Sequence, residues 1–359
     1  MSSCPDGPAP APDRTRLTWG PVRWELTSGN PAEHRWFAAH LSVTGDHLPY
    51  AAPLRTFRIE ARTGTPEQWR GPTGPVVLIR DVPHHRTVVE GRPAWVRAGD
   101  APYAYVHRGG DDWLVLREER GPDRFRPAET LAAELLGVTL AGLGGTTVHA
   151  SAATAPHATL FAGASGTGKS TLALALAARG GAFVAGDRSV LLPGEDGWHV
   201  VGAAVAARFG RGTLRATGHA ERVDAVRLLR HGGPAPAPKT SKTPKTPKTP
   251  KPPKALLTQT ELHGLLGTRT SAGAPLTRVA LLEHATGRTP TVTRVPPDEA
   301  TPLLLPHLLP APAPWWDDTP PPPAVLAPHL PVPTFRVRWN PVTHEAGTVL
   351  RLLDRRSSA

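Results

Sequence analysis

Cysteine is all but missing from this sequence. One, Cys4, stands in 359 residues inside a proline-rich start, so no disulfide can close within the chain and a bridge-held scaffold is excluded. Long apolar runs are missing too. The least polar region, residues 131–155, carries Glu134, His149 and several glycines, and reads as a buried helix plus strand rather than a membrane span. No basic segment followed by an apolar one opens the chain, and cytoplasmic residence is the expectation. Clustered metal ligands are absent as well: the sixteen histidines are scattered, His84 and His85 lack companions at zinc spacing, and no zinc site is expected. Lysine is the most telling shortage. Seven lysines face 34 arginines, and six of the seven (Lys239, Lys242, Lys245, Lys248, Lys251 and Lys254) sit in one repeat. The seventh is Lys169.

What is abundant is proline, with 43, and glycine, with 35, against 39% apolar residues, a globular composition with unstructured connections. Residues 1–13 are expected to be a frayed tail. Residues 14–125 alternate β-branched and aromatic runs (RTFRIEAR, PVVLIRDV, DWLVLRE) with Gly, Pro and Asp, which predicts a β-rich N-terminal domain of short antiparallel strands whose six tryptophans are core. Residues 126–359 are expected to form an α/β domain. A helix opens at Pro127, and strands are expected at TTVHASAA and HATLFAG. A helix STLALALAARGG, a strand AFVAGD, and a hairpin of SVLL and HVVGAAVAARF follow. Further on come a helix over 256–266, a strand LTRVALLEH, an edge strand TFRVRWN and a closing helix. Two segments interrupt this pattern. The Lys-Thr-Pro insertion at 233–254 reads as a solvated spacer and the proline-rich stretch 302–333 as a surface wrap. The formal charge of +11 falls to +5 without the insertion's lysines, which disfavours nucleic acid as a partner.

The stretch GASGTGKST carries the chemistry. Gly163, four residues, Gly168, Lys169 and Ser170 form a Walker A pattern with an apolar strand before and a helix after. Backbone amides of Gly163, Ala164, Ser165, Gly166, Thr167 and Gly168 can converge on phosphate oxygens at a helix N-terminus. Lys169 supplies a compact positive charge, retained in a chain that otherwise writes its cations as Arg. Ser170 would hold Mg²⁺, leaving Thr171 as a candidate α-phosphate contact. Asp187 follows the strand AFVAGD, 18 residues after Lys169, and is the candidate second magnesium ligand; the competing reading is a turn aspartate paired with Arg188. His149, in an apolar strand, is by itself either a core histidine or a functional one. Arg208 and Arg211 are candidates for charge stabilisation against the default of solvated surface arginines.

The order VHASAA, FAGASGTGKSTLALALAARGG, FVAGDRSVLL resembles the catalytic domain of HPr kinase/phosphorylase and related bacterial serine kinases, over residues 146–192. The resemblance implies a P-loop fold of the HPr kinase and phosphoenolpyruvate carboxykinase type and transfer of the ATP γ-phosphate to a serine hydroxyl of a protein, peptide or small molecule. It further implies ATP and Mg²⁺ as the bound species, with His149 orienting the base and Asp187 on the metal. The family often assembles, which admits a homo-oligomer. Where the family carries its first aspartate this chain has Gly186. An alternative is therefore a nucleotide-binding regulator or ATPase that has lost efficient transfer.

Overall fold

The structure, a computed structural model, describes residues 14–44, 48, 53–64, 74–80, 82–99, 101–121, 124–155, 157–203, 206–221, 223, 254–312, 314–317 and 332–357. The tail at 1–13, the insertion up to Lys254, residues 318–331 and Trp69 lie outside them. The chain is mixed α/β with sheet predominating. It forms two compact units: Met1–Leu41 with Ala52–Leu135 and Pro314–Pro320, and Ser42–Ala51 with Leu136–Ala313 and Pro321–Ala359.

The first unit is built on one sheet of β1 (Arg14–Trp19), β2 (Val22–Ser28), β3 (Arg55–Thr63), β4 (Val76–Ile79), β5 (Val82–Val89), β6 (Arg92–Arg97), β7 (Tyr103–Gly109) and β8 (Asp112–Arg117). Their order is β1-β2-β3-β8-β7-β6-β5-β4. The expectation of antiparallel strands is corrected at the centre, where β3 runs parallel to both β2 and β8. A parallel neighbour needs a crossover, and α1 (Pro31–Leu41) provides it. The Asn30 side chain accepts from the Ala32 amide at 2.9 Å, and Pro31 takes the first helical position, where no amide is needed. Glu33, fully buried, accepts from Arg117 Nε at 2.9 Å and from Ser28 Oγ at 2.7 Å, fixing the helix to β2 and β8. Of the six tryptophans expected in the core, Trp19, Trp24, Trp95 and Trp113 are buried, Trp36 is half-buried and Trp69 lies outside the described residues. Trp315 and Trp316, from the proline-rich stretch, meet Trp95 and Trp113 edge to face at centroid distances of 5.0 and 5.2 Å.

α2 (Arg126–Gly142), which belongs to the second unit only from Leu136 on, leads to that unit's β9 (Thr146–Val148), β10 (Ala150–Thr154), β11 (Ala158–Gly163), α3 (Lys169–Ala177), β12 (Ala182–Ala185), β13 (Ser189–Gly194), β14 (Gly197–Gly202), β15 (Ala206–Gly210) and α4 (Arg211–Ala216). Beyond the insertion come β16 (Lys254–Thr258), α5 (Gln259–Leu266), β17 (Arg269–Thr270), β18 (Gly273–His284), β19 (Thr291–Val295), α6 (Pro297–Leu304), β20 (Thr334–Trp339) and α7 (Ala346–Ser357). The sheet order is β17-β12-β10-β11-β18-β14-β13-β9, with β20 between β18 and β19. The twelve-residue β18 is the shared spine. Its first residues pair with β14, and its later ones pair with β11 and β20. On one face Phe161, Leu172, Leu176, Phe183, Val337 and Leu350 form a core with α3 and α7; on the other Leu160, Val184, Leu191, Val279 and Leu304 form a second with α6. Each fully buried Leu or Phe contributes about 1.5–3 kcal/mol.

Four sequence expectations are corrected here. The strand TTVHASAA breaks at His149, because β9 pairs with β13 at one edge of the curled sheet while β10 pairs with β11 and β12 in its other half. The hairpin's second strand stops at Gly202, and AARFG pairs instead with β16 in a separate two-stranded sheet. Residues 256–258 are strand, and the helix starts only at Gln259, where Thr258 and Glu261 form a capping box. TFRVRWN is an interior strand rather than an edge: β18 and β19 flank it, and its arginines Arg336 and Arg338 pair with Glu283 at 3.0 and 2.9 Å. The start of the 302–333 stretch is also ordered, as the end of α6 and the 3-10 turn Leu305–His307.

Candidate functional site

Strand directions gather the candidate residues. β11 and β12 flank β10 and are each antiparallel to it, so they run the same way and release Gly163 and Ala185 at one rim of the sheet. β10 starts at that rim, with Ala150 opposite Ala162 and Ala152 opposite Ala185, which brings His149 and Ser151 there. β18 and β20 run parallel to β11 and end at the same rim with His284 and Trp339. Open α/β sheets bind ligands at such carboxyl ends, where loops are free to shape a site.

The phosphate loop follows β11. Thr167 folds it back, donating from its amide and its hydroxyl to Ala164 O at 3.3 and 2.9 Å. Trp339 closes it from below: its indole N–H donates to Thr167 O at 2.8 Å, and the ring is fully buried. Two glycines are needed for this. Gly168 adopts φ 85°, and a Cβ there would overlap the Trp339 ring; a Cβ on Gly163 would lie 2.6 Å from Leu282 O. Ala164, Ser165 and Gly166 are exposed at the tip. Lys169, buried at the start of α3, donates through Nζ to Gly163 O at 2.8 Å and Ala164 O at 3.1 Å. Its ammonium is thus held under the loop by carbonyls that a phosphate oxygen could replace.

Ser170 donates to Gly186 O at 3.2 Å, Ser151 donates to the same carbonyl, and the two hydroxyl oxygens are 3.2 Å apart. This links the first turn of α3 to the chain segment that carries Asp187. Asp187 is half-buried, and among the described residues its carboxylate makes neither a hydrogen bond nor an ion pair, so the pairing with Arg188 is not formed. The Thr171 hydroxyl is buried and lies 3.0 Å from Thr213 Oγ1 on α4. Arg208 and Arg211 are exposed, on β15 and at the start of α4. His149 sits half-buried in the break between β9 and β10, and its amide donates to His307 O at 2.7 Å.

Three residues at this rim were not singled out by the sequence reading. Ser151 lies two residues after His149 in the quoted VHASAA, and the period of two was the available signal. Trp339 ends a strand whose alternation was legible but whose neighbours were not. His307 lies in a proline-rich stretch without any motif. Burial, and then the Lys169 ammonium, hold its imidazole below the ordinary value.

No protein-family model matches the chain, and no curated protein matches it. Among the described residues no group of three or more His, Cys, Asp or Glu side chains could hold a metal ion, and no helix is long and apolar enough to cross a membrane. A magnesium ion at a phosphate loop needs no such group, because it takes a hydroxyl, one carboxylate, phosphate oxygens and water. The unpaired Asp187 carboxylate and the Ser170 hydroxyl, tied through Gly186 to the same segment, suit that donor set.

Proposed function

We propose that this chain is an ATP-dependent phosphotransferase of the HPr kinase-related type, moving the γ-phosphate to a serine hydroxyl of a protein, peptide or small molecule. The observation that carries this reading is the convergence at one rim of Lys169 and Ser170 from the end of β11, Asp187 from the end of β12, and His149 from the start of β10. A chance glycine turn would not be expected to join these with the buried lysine under the loop.

In this reading Lys169 exchanges its two carbonyl partners for β- and γ-phosphate oxygens, while the loop amides and the α3 N-terminus neutralise charge without reorganisation. Magnesium, held by Ser170 and Asp187, would supply charge neutralisation between the phosphates. The acceptor oxygen forms its bond to the γ-phosphorus as the bond to the bridging oxygen breaks, and the electron pair leaves on the nucleoside diphosphate. His149, at the start of β10, stands at the same rim.

A second reading, a nucleotide-binding regulator or an ATPase without efficient transfer, is favoured by Gly186. It offers only a carbonyl at this rim, already taken by Ser170 and Ser151. Incubation of the full chain with γ-labelled ATP, Mg²⁺, and either free serine or a serine-peptide mixture separates the two. The expected result is label on serine, reduced at least roughly 100-fold in Lys169→Ala, the order seen when one charge-stabilising donor is removed. Nucleotide binding without label on any hydroxyl acceptor would favour the regulator.

A further inference from the structure

Transfer to a hydroxyl releases a proton, and Gly186 offers no side chain to take it. His307 reaches the rim by main-chain pairing. After α6, the turn Leu305–His307 lays the chain along β9: His149 N–H donates to His307 O at 2.7 Å, Leu308 bridges to Val148, and Leu309 N–H donates to Thr147 O at 2.9 Å. These three links hold His307 beside His149, one strand-break away from Ser151 and the phosphate loop.

The His307 ring is half-buried and makes no hydrogen bond among the described residues. Among the described residues, His149 lies opposite His307 across the antiparallel Val148–Leu308 bridge, and Lys169 on α3 is the cation that acts on its ring. Partial burial, and then the charge of Lys169, favour the neutral imidazole, the form with a lone pair to accept a proton.

Resting on the phosphotransferase reading, we propose that His307 is the general base that accepts the proton of the attacking hydroxyl. The hydroxyl oxygen bonds to the γ-phosphorus, the bond from that phosphorus to the β,γ-bridging oxygen breaks with its pair leaving on the diphosphate, and the proton passes to a His307 ring nitrogen. The imidazolium, repelled by Lys169, then yields that proton to water.

The test compares wild type, His307→Gln and His307→Gly as full chains with γ-labelled ATP, Mg²⁺ and free serine or a serine-peptide mixture. General-base catalysis predicts kcat lowered roughly 10²- to 10⁴-fold in both variants with KM for ATP within about twofold, and partial rescue of His307→Gly by added imidazole. It also predicts that the acid limb of the wild-type kcat profile is missing in His307→Gln, and that the wild-type His307 ring protons titrate below the ordinary histidine value in NMR spectra. A variant with wild-type kcat, or with an unchanged acid limb, overturns the proposal while leaving the phosphotransferase reading intact. Loss of ATP affinity in step with kcat and without imidazole rescue assigns His307 a structural role and also overturns it. Wild type that labels no acceptor overturns both.

Discussion

At the scale of single residues, two glycines at the rim answer to different forces. Gly168 has a left-handed backbone and the Trp339 ring against its α-carbon; Gly186 has an ordinary backbone angle, and a Cβ there would meet Ala207 only at 3.5 Å. Gly168→Ala is therefore expected to cost about 2–5 kcal/mol, the left-handed penalty plus overpacking, and to abolish nucleotide binding. Gly186→Ala should leave the fold unchanged or about 0.4–1 kcal/mol more stable and keep nucleotide binding. Urea melts and a nucleotide titration on both variants check this, and equal behaviour would contradict the loop geometry. The two glycines look alike in the sequence, where only Gly168 belonged to a motif; what separates them is Trp339, 171 residues later in the chain.

His84 sets a second residue-scale expectation. Its Nδ1–H donates to Val82 O at 2.9 Å, leaving Nε2 to accept from the Tyr103 hydroxyl at 3.1 Å, and the ring is 1% exposed. Burial first, then Arg97 and His85 against the opposing Val82 bond, push its pKa down to about 4 from 6.5. Because the folded value lies below the unfolded one, the neutral ring's stabilisation is complete above pH 6.5 and is lost as the pH falls toward 4. The loss amounts to about 3 kcal/mol. His84→Gln should flatten the stability profile over that window by this amount in equilibrium denaturation; an unchanged slope would contradict the assignment. The sequence offered His84 only as a rejected metal ligand, since its partners come from three strands.

At the scale of elements, legibility followed the range of the determining interaction. α3, β11 and β12 were readable because an apolar run, a glycine loop and a helical period lie next to each other. The α1 crossover was missed although Asn30, Pro31 and Glu33 spell a helix start, and the start of α5 was misread although Thr258 and Glu261 spell a capping box. In both cases the start signal lies in capping chemistry and not in apolar periodicity. The interior position of β20 was not readable at all, since its alternating arginines look solvent-facing until Glu283 supplies their partner. α1 depends on one buried ion pair. Glu33→Gln leaves Arg117, 2% exposed, without its counter-charge, and should cost about 3–5 kcal/mol in urea denaturation. A loss below about 1 kcal/mol would show that α1 is held by packing alone.

At the scale of the whole molecule, sequence order is a poor guide to membership of a unit. Trp315 and Trp316 belong with the N-terminal sheet, and Thr44 belongs with the phosphate-loop unit, where it exchanges hydrogen bonds with Thr270 at 2.8 Å. The rim was legible as a motif, and the period of two pointed to Ser151, but His307 and Trp339 reach the rim only through pairings between distant segments. Phosphotransfer at this rim depends on its taking a magnesium nucleotide. Calorimetric titration of ATP into the full chain, with and without Mg²⁺, tests this most directly. One nucleotide per chain is predicted to bind in a magnesium-dependent manner, with affinity weakened at least about tenfold in Lys169→Ala, the loss expected for one charge-assisted contact. Absence of any nucleotide binding to the wild-type chain in the presence of Mg²⁺ would contradict it.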